Sequence, residues 1–460
     1  MKKLSIYIIA VAALASGCKK TFEDTINGQK ADDRINAALT AIQSKLTKAP
    51  NGWILLETTT GTAFNQGVSQ SGPVATFAYY VEFNDSNKVR MFSDFDTSMA
   101  AVPKTSDYRI KELTRPALIF DTYSYLHVPC DPDPRISKSP YGVGYGWGTD
   151  FEFTFSENIS AASLGDTIRL TGNLNSASVT LIKATKAQHD AYFTGGLQAT
   201  MLAWGNIQNY FKRVTTGATQ FELTPGLGGA KSVDINWLDA SNNLKSAASS
   251  VYFTAASVNL VTPVAIGTQT VSRFDNIVWD AGTATITTSI NGTTPATITG
   301  STAPLKNNVN APKAWRDKGL NSGVYWVSNT GFHANGTDDG FGIANLSNAT
   351  GTFYFYMYYP NGYSNPADRF VPIMLNGNSL AYNTYGTAPK SPPVFTADGR
   401  VVFSKLGDVG AIPPGGPVAL SNALLYNAAG FYLILKEDGV TYDMVSASDA
   451  KSWIQWQWVF

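Results

Sequence analysis

The stretch Phe77-Ala78-Tyr79-Tyr80-Val81-Glu82-Phe83-Asn84-Asp85-Ser86-Asn87-Lys88-Val89-Arg90-Met91-Phe92-Ser93 decides the fold. Phe77, Tyr79, Val81 and Phe83 fall on one side of a period-two repeat, and Ala78, Tyr80 and Glu82 on the other. Asn84-Asp85-Ser86-Asn87 has turn chemistry, after which Val89, Met91 and Ser93 alternate back. The pair predicts an antiparallel hairpin. Working outward, the same period starts at Trp53 and returns at 108–113, 117–120, 150–155, 167–171 and 178–183. Short strands separated by turn signals point to an antiparallel sandwich or barrel. No strand alternates with a long helix, which argues against a parallel sheet.

Composition agrees with that reading. Aromatics reach 12% and charged residues only 15%, against about 25% in ordinary soluble domains. Tyr, Phe, Val and Thr suit a pleated, half-buried surface. The formal net charge is zero, which leaves no electrostatic footprint for nucleic acid. At 460 residues the chain can bury two or three cores.

Two zones break the β pattern. Ile35, Leu39, Ile42 and Leu46 share one stripe of a helix over 32–48, ended by Pro50-Asn51-Gly52. Residues 187–193 and 201–211 predict two helices with Gly195-Gly196 between them, a helical connector. A second β region covers 221–298, and its segment 252–263 echoes 108–120, as an internal duplication would. Residues 300–312 look like a linker. Further strands follow at 353–359, 401–403, 430–435 and 440–444, and Ile454, Trp456, Trp458 and Phe460 share a face of the last one. The fold class is therefore mainly β, with two or three antiparallel β-sandwich or barrel-like (lipocalin-like) domains and a short N-terminal helix. The divisions are 1–17 leader, 18–31 tether, 32–195 first domain, 196–305 second and 306–460 third. The aromatic C-terminus resembles that of an outer-membrane barrel, but the strands are too short and irregular for one.

The leader has its own signature. Lys2 and Lys3 precede an apolar run over 4–15, too short to span a bilayer, and Leu14-Ala15-Ser16-Gly17 leads into Cys18. This resembles the lipobox of bacterial lipoproteins, in which Cys18 receives the lipid. The expected location is the outer membrane, lipid-anchored at the cell surface, with a periplasm-facing anchor as the alternative. Cys130 is then a lone thiol, and no disulfide forms.

Tyr80-Val81-Glu82-Phe83-Asn84-Asp85, Tyr108-Arg109-Ile110-Lys111-Glu112-Leu113 and Phe120-Asp121-Thr122-Tyr123-Ser124-Tyr125-Leu126-His127 resemble an uncharacterised domain family of Bacteroidetes lipoproteins. Asp33-Arg34-Ile35-Asn36, Pro50-Asn51-Gly52-Trp53 and Gly148-Thr149-Asp150-Phe151-Glu152-Phe153 fit it too. The resemblance implies companions of SusC/SusD-type uptake systems, with a glycan or peptide as ligand, and it supplies no catalytic residue. Lys19-Lys20-Thr21-Phe22-Glu23-Asp24 is similar to the charged segment that sends such lipoproteins to the cell surface.

Few constellations suggest chemistry. In Tyr141-Gly142-Val143-Gly144-Tyr145-Gly146-Trp147-Gly148 the glycines permit positive φ, so Tyr145 and Trp147 are candidates to face outward and grip a ligand. On the strand 353–359, the face of Tyr354, Tyr356 and Tyr358 is a second candidate platform, with strand packing as the alternative. His127-Val128-Pro129-Cys130-Asp131 has the right residue types for zinc but lacks a second ligand pair. Asp94/Asp96 and Asp338/Asp339 fit no calcium loop. No hydrolase motif occurs, so no catalytic residue, metal or cofactor is expected. The expected function is a lipid-anchored surface protein that binds a nutrient glycan or peptide, or assists its uptake. The alternatives are a hydrolase acting on an extracellular polymer and a structural or adhesive module.

Overall fold

The computed structural model describes residues 30–113, 115–155, 164–227, 229–364 and 366–459. The leader, Cys18 and Phe460 lie outside the described residues.

The protein is mainly β, as expected. Its first unit is a closed eight-stranded antiparallel barrel. The strands are Trp53–Thr58, Thr76–Phe83, Lys88–Ser93, Lys104–Glu112, Pro116–Phe120, Glu152–Phe155, Thr167–Gly172 and Ser178–Lys183. Each pairs with the next, and the last returns to the first with Trp53 opposite Lys183. The hairpin read from the sequence forms, with Tyr80 opposite Phe92 and Phe83 opposite Val89. Trp53, Leu55, Phe77, Tyr79, Val81 and Phe83 fill the interior. Helix Ala31–Thr47 seals one end, burying Ile42 and Leu46. There Trp53 Nε1 donates to the Leu46 carbonyl at 3.1 Å, and Gln43 Nε2 to the Tyr108 hydroxyl at 2.7 Å. Residues 121–151 cap the opposite end.

The second unit repeats this topology with strands Phe211–Thr216, Thr219–Gly226, Gly229–Leu238, Leu244–Phe253, Ser257–Ile266, Gln269–Asp280, Thr285–Ile290 and Thr294–Ser301. It closes by pairing Phe211 with Ser301. The expected helix over 201–211 needs correction. The helix is Gly196–Gly205, and Phe211 already begins a strand. The apolar spacing of Met201, Trp204, Ile207 and Phe211 suits a helix locally, but barrel closure claims the last of them.

The connector helices Lys186–Phe193 and Gly196–Gly205 meet at Gly195, whose φ of +82° reverses the chain. The connector joins the barrels by packing on both. Tyr192 stacks on Tyr80 of the first barrel at 4.8 Å, and Trp204 meets Phe274 of the second at 5.5 Å. The barrels also touch directly through a buried ion pair, Lys231 Nζ to Asp94 Oδ2 at 2.7 Å. Asp94 accepts from the backbone N–H groups of Ala78 and Phe253 as well, each at 2.9 Å. Asp96 instead caps helix Thr97–Ala101. The paired acids of the sequence are therefore structural.

The third unit is a curled, 13-stranded sheet. Its central strands are Tyr325–Ser328, Gly351–Ser364 and Ala367–Asn376 on one side and Ser452–Val459, Tyr442–Ser446 and Phe431–Leu435 on the other. Helix Ala311–Ser322 fills the curl, with Trp315 stacked on Trp326 at 5.5 Å and close to Tyr358 at 4.8 Å. The expected 300–312 linker therefore shrinks, because a strand holds Ser301 and this helix starts at Ala311. Lys436 ties this unit to the second barrel, reaching Asp234 Oδ2 at 2.5 Å, and the Tyr210 hydroxyl donates to Asp443 at 2.8 Å.

Candidate ligand-contact site at the cap of the first barrel

The cap runs between strands Pro116–Phe120 and Glu152–Phe155 and contains two single-turn helices, His127–Cys130 and Pro134–Ser137. The glycine-aromatic loop closes over them. Gly146 has a φ of +59°, and a Cβ there would stand 2.7 Å from the Cys130 backbone. Only glycine allows that approach.

The structure corrects the expectation for Tyr145 and Trp147. Trp147 is 5% exposed and drops into the barrel mouth, edge-on to Phe77 at 5.7 Å. Its Nε1 donates to the Ser137 carbonyl at 2.8 Å. Tyr145 packs half-buried against the same core. The positive-φ glycines turn the backbone, not the rings, toward solvent, because an open barrel end needs an apolar plug.

Beneath the plug lies Glu57, fully buried, which accepts from the Asp150 backbone N–H at 2.7 Å. Burial pushes its carboxyl well above the usual range, and the Asp150 charge adds to this against that hydrogen bond. Burial likewise pushes up the Cys130 thiol, which lies 3.1 Å from Thr149 Oγ1. Glu57 gives a signed pH prediction. Once the pH passes the ordinary glutamate value of about 4.3, the unfolded chain loses this proton while the folded chain keeps it. The folded state then binds more protons, so stability falls as pH rises until the raised folded pKa is passed. Glu57→Gln removes that proton linkage. Its urea midpoint relative to the parent is expected to be higher at pH 8 than at pH 5, and an unchanged difference would count against a neutral Glu57.

Above the plug, three rings form a column. Tyr123 stacks on His127 at 5.4 Å, and His127 on Phe151 at 4.4 Å. Tyr123 is 50% exposed and Phe151 38%. Lys104 Nζ sits 5.1 Å over the Tyr123 ring, and the Tyr123 hydroxyl donates to Asp131 Oδ2 at 2.9 Å. His127 Nδ1 accepts from the Ser124 backbone N–H at 3.0 Å, and a hydrogen bond to the Phe120 backbone holds the ring as well. Burial, and then the Lys104 charge, lower its basicity. His127 therefore serves as a neutral spacer between two exposed rings. Among the described residues no three His, Cys, Asp or Glu side chains converge as metal ligands.

The second candidate platform is turned the other way. Tyr356 and Tyr358 are fully buried, Tyr356 stacked on Phe370 at 4.6 Å. A register shift between Phe353 and Phe355 throws Tyr354 out to solvent, where it is 51% exposed, away from the other two. Asp339 accepts from the N–H groups of Ile343 and Ala344, and Asp338 pairs with His333 at 2.7 Å. Tyr123, His127 and Phe151 carry no joint signal in the sequence, since they come together only when the cap folds.

Two closed meander barrels, a curled sheet and an aromatic cap define a three-unit β protein. The chain belongs to the family of the domain of unknown function DUF4302, whose sequence profile matches residues 23–281. That span takes in the N-terminal helix, the first barrel with its cap, the connector and most of the second barrel. No curated protein matches the chain. Among solved structures it is similar to the beta subunit from DNA polymerase of Streptococcus pyogenes, at 9% identity and TM-score 0.16, covering 92% of this chain and 98% of that one. It is also similar to a mutant transferrin binding protein B from Haemophilus parasuis, at 9% identity and TM-score 0.12, covering 88% and 75%. Likenesses this slight carry no argument.

Proposed function

We propose that this is a lipid-anchored cell-surface protein of the outer membrane that captures a nutrient glycan or peptide through the cap of its first barrel, alongside an uptake transporter of the SusC/SusD type. The observation that carries the reading is the exposed Tyr123–His127–Phe151 column on a closed barrel. Aromatic faces bind sugar rings and apolar side chains, and a rigid scaffold lowers the ordering cost. The lipobox-like Leu14–Cys18 stretch supports the anchoring. The engagement of Asp94, Asp96 and Asp339 in backbone hydrogen bonds supports a binder over the alternative of a hydrolase.

Calorimetric titration of the purified protein with soluble plant and host glycans and with a peptide digest tests this. Saturable binding with intact ligand is expected, and Phe151→Ala is expected to weaken it about tenfold, or about 1.4 kcal/mol. Ligand turnover would replace the proposal with the hydrolase reading. Unchanged affinity in Phe151→Ala would remove the cap from it.

A further inference from the structure

The seam between the second barrel and the third unit holds three ionisable side chains in one dry place. Lys436 follows strand Phe431–Leu435, Asp443 lies on the neighbouring strand Tyr442–Ser446, and Asp234 lies on strand Gly229–Leu238 of the barrel. Their side chains are 0%, 2% and 8% exposed. Lys436 Nζ stands 2.5 Å from Asp234 Oδ2 and 3.5 Å from Asp443 Oδ2. It also donates to the Pro225 carbonyl, which fixes the amine against the barrel. The Tyr210 hydroxyl donates to Asp443 Oδ2 at 2.8 Å and Gln455 Nε2 to its Oδ1 at 3.1 Å, so Asp443 is held at both oxygens. Tyr210, Phe211, Val445 and Ala450 form the apolar cluster on this seam.

One ammonium thus faces two carboxyl groups, and one proton on either acid balances the charge. Burial pushes the Asp234 carboxyl above the usual range against the pull of Lys436, and the Asp443 and Asp438 charges add to the push. Asp234 Oδ1 is buried without a hydrogen-bond partner, which costs a neutral acid less than a carboxylate. Burial works against the Lys436 ammonium, while the Asp443 and Asp234 charges hold its pKa up. The arrangement is an ammonium paired with Asp443 and in contact with a neutral Asp234 acid. Reactants held in contact lose the entropic part of a bimolecular barrier, and a closed site keeps out competing water. The Lys231–Asp94 pair has a different composition, because Asp94 is the single carboxylate in ion-pair contact with Lys231 among the described residues.

We propose that Lys436 and Asp234 condense to an isopeptide bond that joins the third unit covalently to the second barrel, with Asp443 as the proton carrier. The Lys436 ammonium passes one proton to Asp443, and the freed Nζ lone pair attacks Asp234 Cγ. The Nζ–Cγ bond forms, the bond from Cγ to the hydroxyl breaks, and a second amine proton leaves with that hydroxyl as water. The third proton stays as the amide N–H, Asp443 stays protonated, and nothing is oxidised or reduced. The seam then holds one amide and one neutral acid, which removes the cost of keeping charges from water. This link is independent of what the cap binds. Tryptic mapping of the denatured full chain tests it. Segment 232–245 is expected joined to segment 406–451 through Asp234 and Lys436, one water lighter than the two apart and uncut after Lys436. Asp443→Asn keeps a hydrogen-bonding side chain but takes up no proton, and it is expected to lower the linked fraction about tenfold or more. If that variant fails to fold, the map of the parent decides alone. Unlinked 232–245 and 406–436 in the parent, a link through other residues, or an unchanged linked fraction in folded Asp443→Asn would overturn the proposal.

Discussion

Lys231→Met is expected to lower the unfolding free energy by about 3–5 kcal/mol, the usual cost of removing one partner from a buried ion pair. Lys231 is 7% exposed and Asp94 fully buried by side chain, so neither charge has water to fall back on. Burial lowers the Lys231 pKa, and the Asp94 charge works against that. The pair also bridges two units: Asp94 belongs to the first barrel, Lys231 to the second, and Lys231 lies 4.9 Å over the Phe77 ring. Removing the ammonium leaves Asp94 with two backbone donors and an uncompensated charge. Urea titration followed by tryptophan emission measures the effect. Adding Asp94→Asn to Lys231→Met should restore a large part of the loss, because the orphaned charge goes too. A loss under 1 kcal/mol in the single variant would mean that the contact holds nothing together.

Trp147→Ala is expected to cost about 3–5 kcal/mol as well, by a different route. Large-to-small changes in a packed core lose transfer energy and leave a cavity. Trp147 plugs the barrel mouth against Phe77 and Tyr141, and its indole N–H is bonded to Ser137. Thermal and urea unfolding read this out. Phe151→Ala, four residues away and partly exposed, should stay within about 1 kcal/mol of the parent. The contrast separates plug from column: one variant loses stability, the other ligand. Equal stability of both variants would mean that the plug is not closing the barrel.

The strands were largely legible because period two survives in each: 76–83 and 88–93 alternate plainly, and closure adds only partners. Period two, however, assigns two faces without saying which is inside. That is why period two offers Tyr356 and Tyr358 as a platform although both are buried, and why it does not show the shift at Phe353/Phe355. The 201–211 helix failed because its apolar spacing satisfies both periods near Phe211, and the distant strand Thr294–Ser301 settles the matter. At Trp147 the glycines correctly signalled a tight loop, but φ says nothing about whether the ring points in or out. The column of Tyr123, His127 and Phe151 spans the whole cap, so no local window contains it.

Helix Ala31–Thr47 and the cap occupy opposite ends of one barrel, and under the proposed function this sets a geometry for capture. The polypeptide enters the described structure at Lys30, on the helix end. Strand Trp53–Thr58 then climbs from helix to cap, six residues or about 20 Å at the usual rise. If Cys18 carries a lipid, as proposed, the barrel would stand between the entry of the chain at Lys30 and the stacking rings, and so would act as a spacer. Shortening the tether would then change how far the rings reach, not what they recognise.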